Sequence, residues 1–374
     1  LVKDPYGQRM SKTKGNVVDP LEAISEAGAD ALRFALVHGT SPGNDQKFRR
    51  EKLDDARNFA NKLWNAARFV LGARPATLSA GAERRLPDAR HLGPAERWIL
   101  SRAAATTAAA DRALADYQFG EVTRLLYEAV WSEYCDWYLE LAKVRLADES
   151  APVPEREATW WTLVEVLDTY LRLLHPVMPF LTEAIWGQLP HRASDPELLI
   201  VARWPGTGAR DEAVEAHVEA LIELVRAIRN ARAEARLEPA AWLPVDVFVP
   251  VEMGEAFEAL RPGLTRLARA RPLRRQLTAD ALHATAAPGA LAVIAGECEA
   301  AVAPHAPDEG TGERERARLE KELADAERLL AAARSRLANP DFTIKAPVQV
   351  VAGARAREAE LVDQVERLRA RLAG

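Results

Sequence analysis

The sequence predicts a mainly α chain built from a helical bundle, a small mixed α/β unit and a C-terminal antiparallel coiled-coil hairpin. Three observations carry this reading. Bulky apolar residues recur at steps of three and four through most of residues 50–238, the spacing of one helical face. The period then changes to alternation in "LPVDVFVPV", where Val245, Val247 and Val249 fall on one side of a strand. In the tail, Leu319, Leu323, Ala326, Leu330, Ala333 and Leu337 advance by 4, 3, 4, 3 and 4 residues, which draws one narrow apolar seam along a helix.

The elements follow in order. In "DPLEAISEAGADALRFALVHG", Asp19 is placed as an N-cap, Pro20 opens the first turn and Gly28 is the stop between two short helices. From Arg50 to Leu71 a long helix sets Phe59, Leu63, Ala66 and Val70 on one face. Residues 72–94, rich in Gly, Pro and Arg, read as a loop. Helices over 95–116, 118–147 and 155–188 complete the bundle, residues 190–210 break the pattern, and a further long helix covers 211–237. A helix near 254–270 and a second strand, "ALAVIAG" at 290–296, fill the α/β unit. Leu361, Val365, Leu368 and Leu372 repeat the tail rhythm after "NPDFTIKAP", where Pro340 and Pro347 interrupt a continuous helix. Two seams in one chain fold back on each other in preference to an intermolecular coiled coil, because the breaker lets them meet without a concentration cost.

Composition narrows the function classes. Lys and Arg number 50 against 55 Asp and Glu, a net charge of -5, so no bulk basic field draws in nucleic acid and any polyanion site is a local cluster. Cys135 and Cys298 are the only cysteines, too far apart and too isolated for a disulfide framework or a zinc site, which fits a reducing cytoplasm. No run approaches the roughly 18 apolar residues of a membrane span, and no signal-peptide pattern opens the chain. His38 and His175 carry no metal or triad context and read as core or surface.

The opening loop "GQRMSKTKGN" carries the clearest chemistry. Lys12 and Lys14 flank Thr13, beside Ser11 and ahead of Gly15 and Asn16. Ammonium groups and hydroxyls on a Gly-bounded loop suit phosphate oxygens, although the same composition is also that of a solvated surface loop. A basic stripe recurs on the helix "VRAIRNARAEAR", where Arg226, Arg229, Arg232 and Arg236 are three or four residues apart. It reads either as a phosphate contact or as a solvated face paired with Glu234 and Glu238. Trp131, Tyr134, Trp137 and Tyr138 lie at helical spacing among Val130, Leu139 and Leu141, so bundle core is the stronger reading over stacking on unpaired bases.

The order of residues in the loop adds to this. "RMSKT" followed by "KGNVVDP" resembles the KMSKS signature of class I aminoacyl-tRNA synthetases, with Arg9 and Thr13 in the outer positions retaining charge and hydroxyl. "GADALRFAL", "RNFANKLWNAARFVL", "EYCDWYLELAK" and "LHPVMPFLTEAIW" then look like the C-terminal half of the valyl-tRNA synthetase family, in its order. "NKLWNAARF", and the seamed tail containing "NPDFTIKAPVQVV" in place of a cysteine-rich zinc module, favour the valyl branch over an isoleucyl or leucyl relative.

The resemblance implies a catalytic role for Lys12, which would stabilise the leaving pyrophosphate of ATP, with Ser11, Lys12 and Thr13 on the ATP phosphates and Mg2+ accompanying the nucleotide as substrate. It implies no protein-bound metal in this portion. It divides the chain into the end of a catalytic domain (1–49), an anticodon-binding bundle (50–238), a connecting α/β unit (239–310) and a tRNA-binding arm (311–374). The partners it implies are tRNA(Val), ATP and, through the half not represented, valine; it implies a cytoplasmic monomer off the membrane. Arg226, Arg229, Arg232, Arg318 and Lys321 are the expected tRNA contacts. Alone, the chain would then neither activate valine nor clear misacylated tRNA. A stand-alone tRNA-binding module without catalysis is the other expectation.

Overall fold

A computed structural model describes residues 1–79, 81–304 and 309–338, and positions 353, 355, 358, 359, 361, 362, 365, 366 and 369. The chain forms two compact units, Leu1–Pro304 and His305–Gly374.

The first unit opens with a short parallel pair, β1 (Val2–Lys3) beside β2 (Gln46–Lys47). Between them lie a 3-10 turn at Lys12–Lys14, α1 (Pro20–Ala27) and α2 (Ala29–Val37). Asp19 caps α1 by accepting from the Leu21 N–H at 2.8 Å, and Gly28 turns the chain at φ +91°. The long α3 (Arg50–Gly72) buries Phe59, Leu63, Ala66 and Val70 along one face, as their spacing requires.

The bundle continues with α4 (Pro94–Ala115) and then a single rod made of α5 (Phe119–Glu128), a π-helical segment (Ala129–Tyr138) and α6 (Leu139–Ala147). The Leu139 N–H reaches the Tyr134 carbonyl five residues back. The helix expected over 155–188 is instead two, α7 (Val153–Leu174) and α8 (Pro179–Trp186). Pro176 has no N–H to continue α7, and Pro179 sits where its missing donor is harmless, in the first turn of α8.

Helix α2 holds this break from both sides. The buried Asp30 carboxylate accepts from the Phe180 N–H at 3.3 Å and from the Leu181 N–H, capping α8 from outside its own sequence. Three residues on, Arg33 donates to the carbonyls of Pro176 (2.9 Å) and Val177 (3.0 Å) just past the end of α7. Negative charge meets a helix N-terminus and positive charge a C-terminus, the favourable sense for both dipoles. The 72–94 stretch is a loop as expected, but a pinned one. Arg84 is buried between Asp168, Glu165 at 3.3 Å and Asp195 at 3.9 Å.

After α9 (Glu212–Glu234), capped by Asp211 on the Val214 N–H at 3.1 Å, the chain builds a four-stranded sheet. Its strands are β3 (Leu243–Phe248), β4 (Ala270–Gln276), β5 (Leu291–Ala295) and β6 (Cys298–Val302), in the order β4-β3-β6-β5. β3 and β4 run parallel, joined by the crossover helix α10 (Gly254–Ala268), and the remaining pairs are antiparallel. A short α11 (Ala279–Thr285) precedes β5. Alternation in the sequence marks β3 and β5 but passes over β4, "ARPLRRQ", and β6, "CEAAV". One continuous core runs from Ala23 to Val302, so bundle and sheet share their packing.

In the second unit, α12 (Glu309–Ala338) presents Ala326 and Leu330 to Leu361 and Val365 in a small buried cluster, with Leu323, Ala333 and Val362 against it. Arg334 pairs with Glu358 at 3.0 Å and Arg369 with Glu327 at 2.6 Å. Partner numbers fall on one helix as they rise on the other, which is the antiparallel hairpin expected from the two seams. The Leu319 side chain, Leu368, Leu372 and the "NPDFTIKAP" breaker lie outside the described residues.

Two outcomes follow from these contacts. Replacing Asp30 by Ala removes the outside cap of α8 and leaves part-buried donors unmet, so urea unfolding should show a loss of about 1 to 3 kcal/mol, with Asp30→Asn losing less. Neither cysteine should react with a disulfide reagent in the native chain, and both should react in urea. Burial pushes the Cys135 thiol up to about 12 and the Cys298 thiol up to about 11.

Candidate functional site

The opening loop is ordered by a carboxylate and a carboxamide that residue spacing does not single out. Asp4, 5 % exposed, accepts from the backbone N–H groups of Tyr6 (3.1 Å) and Gln8 (2.7 Å) and from the Asn16 side-chain amide (2.9 Å). The Asn16 bond, with help from the backbone donors, holds the Asp4 carboxyl below its ordinary pKa. Asn16 turns its carbonyl oxygen to the Ser11 N–H at 2.9 Å and its amide also to the Arg9 carbonyl at 3.3 Å. The two ends of the loop are thereby tied together across Ser11–Gly15. Gly15, at φ +66°, closes the 3-10 turn by donating to the Lys12 carbonyl.

On this frame Lys12, Thr13 and Lys14 are exposed, and Ser11 and Thr13 share a hydroxyl hydrogen bond of 2.7 Å. The ion pairs made by the opening 49 residues are those of the Leu1 ammonium and Lys3 with Asp45 and of Glu26 with Arg50, among the described residues. Among the described residues, neither the Lys12 nor the Lys14 ammonium has a carboxylate partner, which leaves both open to an outside anion. Met10 packs partly against the core and anchors the loop.

The basic stripe on α9 divides. Arg226 and Arg229 lie over the Trp137 ring, with guanidinium carbons 5.3 and 5.5 Å from its centroid. With Lys62, Asn65 and Lys143 they line a groove of about 610 Å3 between α3, the π segment, α6 and α9. Within it Lys62 pairs with Asp136 and Lys143 with Glu140, while Arg226 pairs with Glu223 and Arg229 donates to the Leu267 carbonyl at 2.8 Å. Arg232 does not belong with them. It is 5 % exposed, and its guanidinium donates to the carbonyls of Ala268 (2.8 Å), Arg269 (3.1 Å), Glu238 (3.1 Å) and Ala241 (2.7 Å). Its expected place as a tRNA contact is corrected here: both terminal nitrogens of the fork already serve the fold. A three-residue step follows a helical face only approximately, and the third member has rotated into the core.

The aromatics are mainly core. Tyr134 donates to the Leu163 carbonyl at 2.8 Å and Tyr138 to that of Thr159 at 3.3 Å, both fully buried. Trp131 is the more open member and stacks on Tyr127 with centroids 5.5 Å apart. His38 stacks on Phe34 at 4.9 Å and His175 meets the Thr182 hydroxyl at 2.8 Å. Among the described residues no cluster of His, Cys, Asp and Glu is arranged to hold a metal ion, and no helix is long and apolar enough to cross a membrane. Arg318 and Lys321 fall on α12, and their side chains lie outside the described residues.

Comparison with known proteins matches three segments in chain order. Residues 1–49 match the tRNA synthetases class I (I, L, M and V) family, residues 96–247 the anticodon-binding domain of tRNA ligase, and residues 313–374 the valyl tRNA synthetase tRNA binding arm. Among curated relatives, a valine--tRNA ligase of Dehalococcoides mccartyi is 40% identical over 99% of this chain and 41% of its own length. Those of Streptomyces coelicolor and Geobacillus kaustophilus are 36% and 37% identical over 100% of the chain, covering 40% and 41% of theirs. The chain thus spans about two fifths of the length of the curated relatives it matches. The isoleucyl and leucyl alternatives give way to this agreement between arm and relatives: the chain belongs to the valine--tRNA ligase family and corresponds to its C-terminal portion.

Proposed function

We propose that the chain supplies the phosphate-binding loop and the tRNA-handling part of an ATP-dependent valine--tRNA ligase. Such an enzyme joins valine to AMP with release of pyrophosphate and passes the aminoacyl group to tRNA(Val). The observation that carries the reading is the Asp4–Asn16 clamp, which holds Ser11, Lys12 and Thr13 as an exposed donor set in the signature's order. In this reading the Lys12 ammonium approaches the β- and γ-phosphates as charge develops on the leaving pyrophosphate, and the Ser11 and Thr13 hydroxyls donate to phosphate oxygens. Mg2+ enters with ATP, not as a resident of this portion. A lysine so placed acts by electrostatics alone and lowers the barrier by about 3 to 4 kcal/mol, the order of one oxyanion-stabilising donor. Valine is held by the remaining length of the enzyme.

The bundle and the arm hold tRNA(Val). Arg226 and Arg229, fixed over Trp137, contact backbone phosphates, and Arg318 and Lys321 on the arm do the same at a distance from the chemistry. The working form is a cytoplasmic monomer.

Two measurements test this. In a protein carrying the whole length of the family, Lys12→Ala should lower valine-dependent ATP–pyrophosphate exchange by about 10²- to 10³-fold in kcat with little change in the KM for valine; a rate within about threefold of the parent rejects the role. Removing residues 313–374 should weaken binding of a tRNA(Val) transcript and flatten its dependence on salt by about 0.7 to 0.9 in log–log slope for each phosphate that the arm neutralises. Equal affinity and equal slope with and without the arm would remove it from the interface.

A further inference from the structure

A second groove, of about 710 Å3, lies where α6, the C-terminal end of α10 and the start of β4 meet, and its walls include Arg229, Trp242, Arg266, Arg269 and Arg271. Of these arginines, only Arg229 falls inside a segment matched by a family model. The acidic groups facing it are Glu140 and Asp148, and both already have donors: Lys143 for the first, and the Ser150 N–H and hydroxyl for the second. Among the described residues, Arg266, Arg269 and Arg271 have no carboxylate partner.

Two of these arginines are placed in advance. The guanidinium carbons of Arg271 and Arg269 lie 4.5 and 5.3 Å from the centroid of the Trp242 ring. A guanidinium resting on an indole uses its flat face and keeps its edge N–H donors for a planar or tetrahedral oxyanion. Holding the side chain there also lowers the rotamer entropy lost on binding. Arg269, moreover, occupies the left-handed C-cap of α10 at φ +52°, a position that glycine fills without strain. The backbone is held in that conformation by bonds to the Arg269 carbonyl from the Leu243 N–H (3.1 Å) and from buried Arg232 (3.1 Å). Arg232 is thus the support behind this groove. An arginine kept where glycine is easier points to use of its side chain.

We propose that the Trp242 groove binds the phosphate backbone of an RNA strand, with Arg266, Arg269 and Arg271 as the contacting side chains and Trp242 as the platform that aligns two of them. This rests on the reading that the chain handles tRNA and adds a contact site of its own on the α/β side of the unit. Contacts of this kind position RNA and do not read its sequence.

The test is fluorescence anisotropy of the 374-residue chain with a labelled tRNA(Val) transcript over a range of NaCl concentrations. The variant Arg269→Gly/Arg271→Gln relieves the left-handed strain and leaves the core intact, and its thermal melting is recorded beside the binding. Expected are a melting temperature at or above the parent's, an affinity lower by about tenfold, and a log–log salt slope smaller by about 1.5. The surface variant Arg266→Gln should reduce the slope by about 0.8 on its own, and a transcript with an unrelated anticodon should show the same losses. The proposal is overturned if the double variant keeps parent affinity and slope, or if it loses binding together with its melting transition while Arg266→Gln keeps the parent slope. A parent chain that binds no transcript at all would instead remove the tRNA reading, and this site with it.

Discussion

Asp30 and Arg33, one turn apart on α2, meet opposite ends of the break between α7 and α8. This contact ties the opening 49 residues to the bundle. It acts beside the buried α2 residues Ala31, Leu32, Phe34 and Ala35, which join the core, and beside Lys52, which donates to the His38 carbonyl at 3.1 Å. The path from loop to bundle runs through rigid elements: the Asp4–Asn16 clamp, β1 on β2, α1 and α2, and then two helix ends. The interaction is strong for its size because each charge meets backbone groups that have no helical partner of their own. A short segment can therefore present ammoniums to an outside anion from a platform whose stability comes from elsewhere.

The charges of the first unit divide into two populations that composition cannot separate. Arg84, Arg172 and Arg192 are bound into one network with Glu165, Asp168 and Asp195, and Arg232 is enclosed by carbonyls. These side chains fasten loops to helices, and removal of one partner would leave its counterpart buried and unmatched. Arg226, Arg229, Arg269 and Arg271 instead lie over tryptophan rings at the edges of open grooves. A net charge of -5 hides this contrast. Local arrangement decides which arginines are available to an anion.

Long periodic helices are legible in the sequence, and the reasons are visible in α3 and α12. Each has a single apolar stripe whose spacing admits one reading; α3 buries its stripe, and α12, among the described residues, buries Ala326 and Leu330 of its own. The break at Pro176 is hidden because apolar residues continue at helical spacing across it, so periodicity outweighs the local proline chemistry. β4 is hidden because only Ala270 and Leu273 of its seven residues are buried. Its membership in the sheet is set by its parallel partner β3 and by the Arg274–Asp246 pair at 2.8 Å, neither of which sequence spacing reveals. In the loop, Lys12 and its neighbours are legible as donors, and the family resemblance gives them order. Asp4 and Asn16 are not, since a carboxylate and an amide twelve residues apart declare their contact only after the chain has turned.

The π-helical stretch Ala129–Tyr138 makes a demand on length that its neighbours do not. Its wider ring accommodates residues that ordinary winding would carry further round the axis. Deleting a single residue between Glu128 and Leu139 with no change in the winding would swing everything beyond it by about 100°. Tyr134 and Tyr138 would forfeit their carbonyl acceptors, and Glu140 and Lys143 would leave the wall they share with Trp137. The spacing here behaves as a fixed measure, and insertions or deletions that a surface turn absorbs would be felt at every contact downstream on the rod.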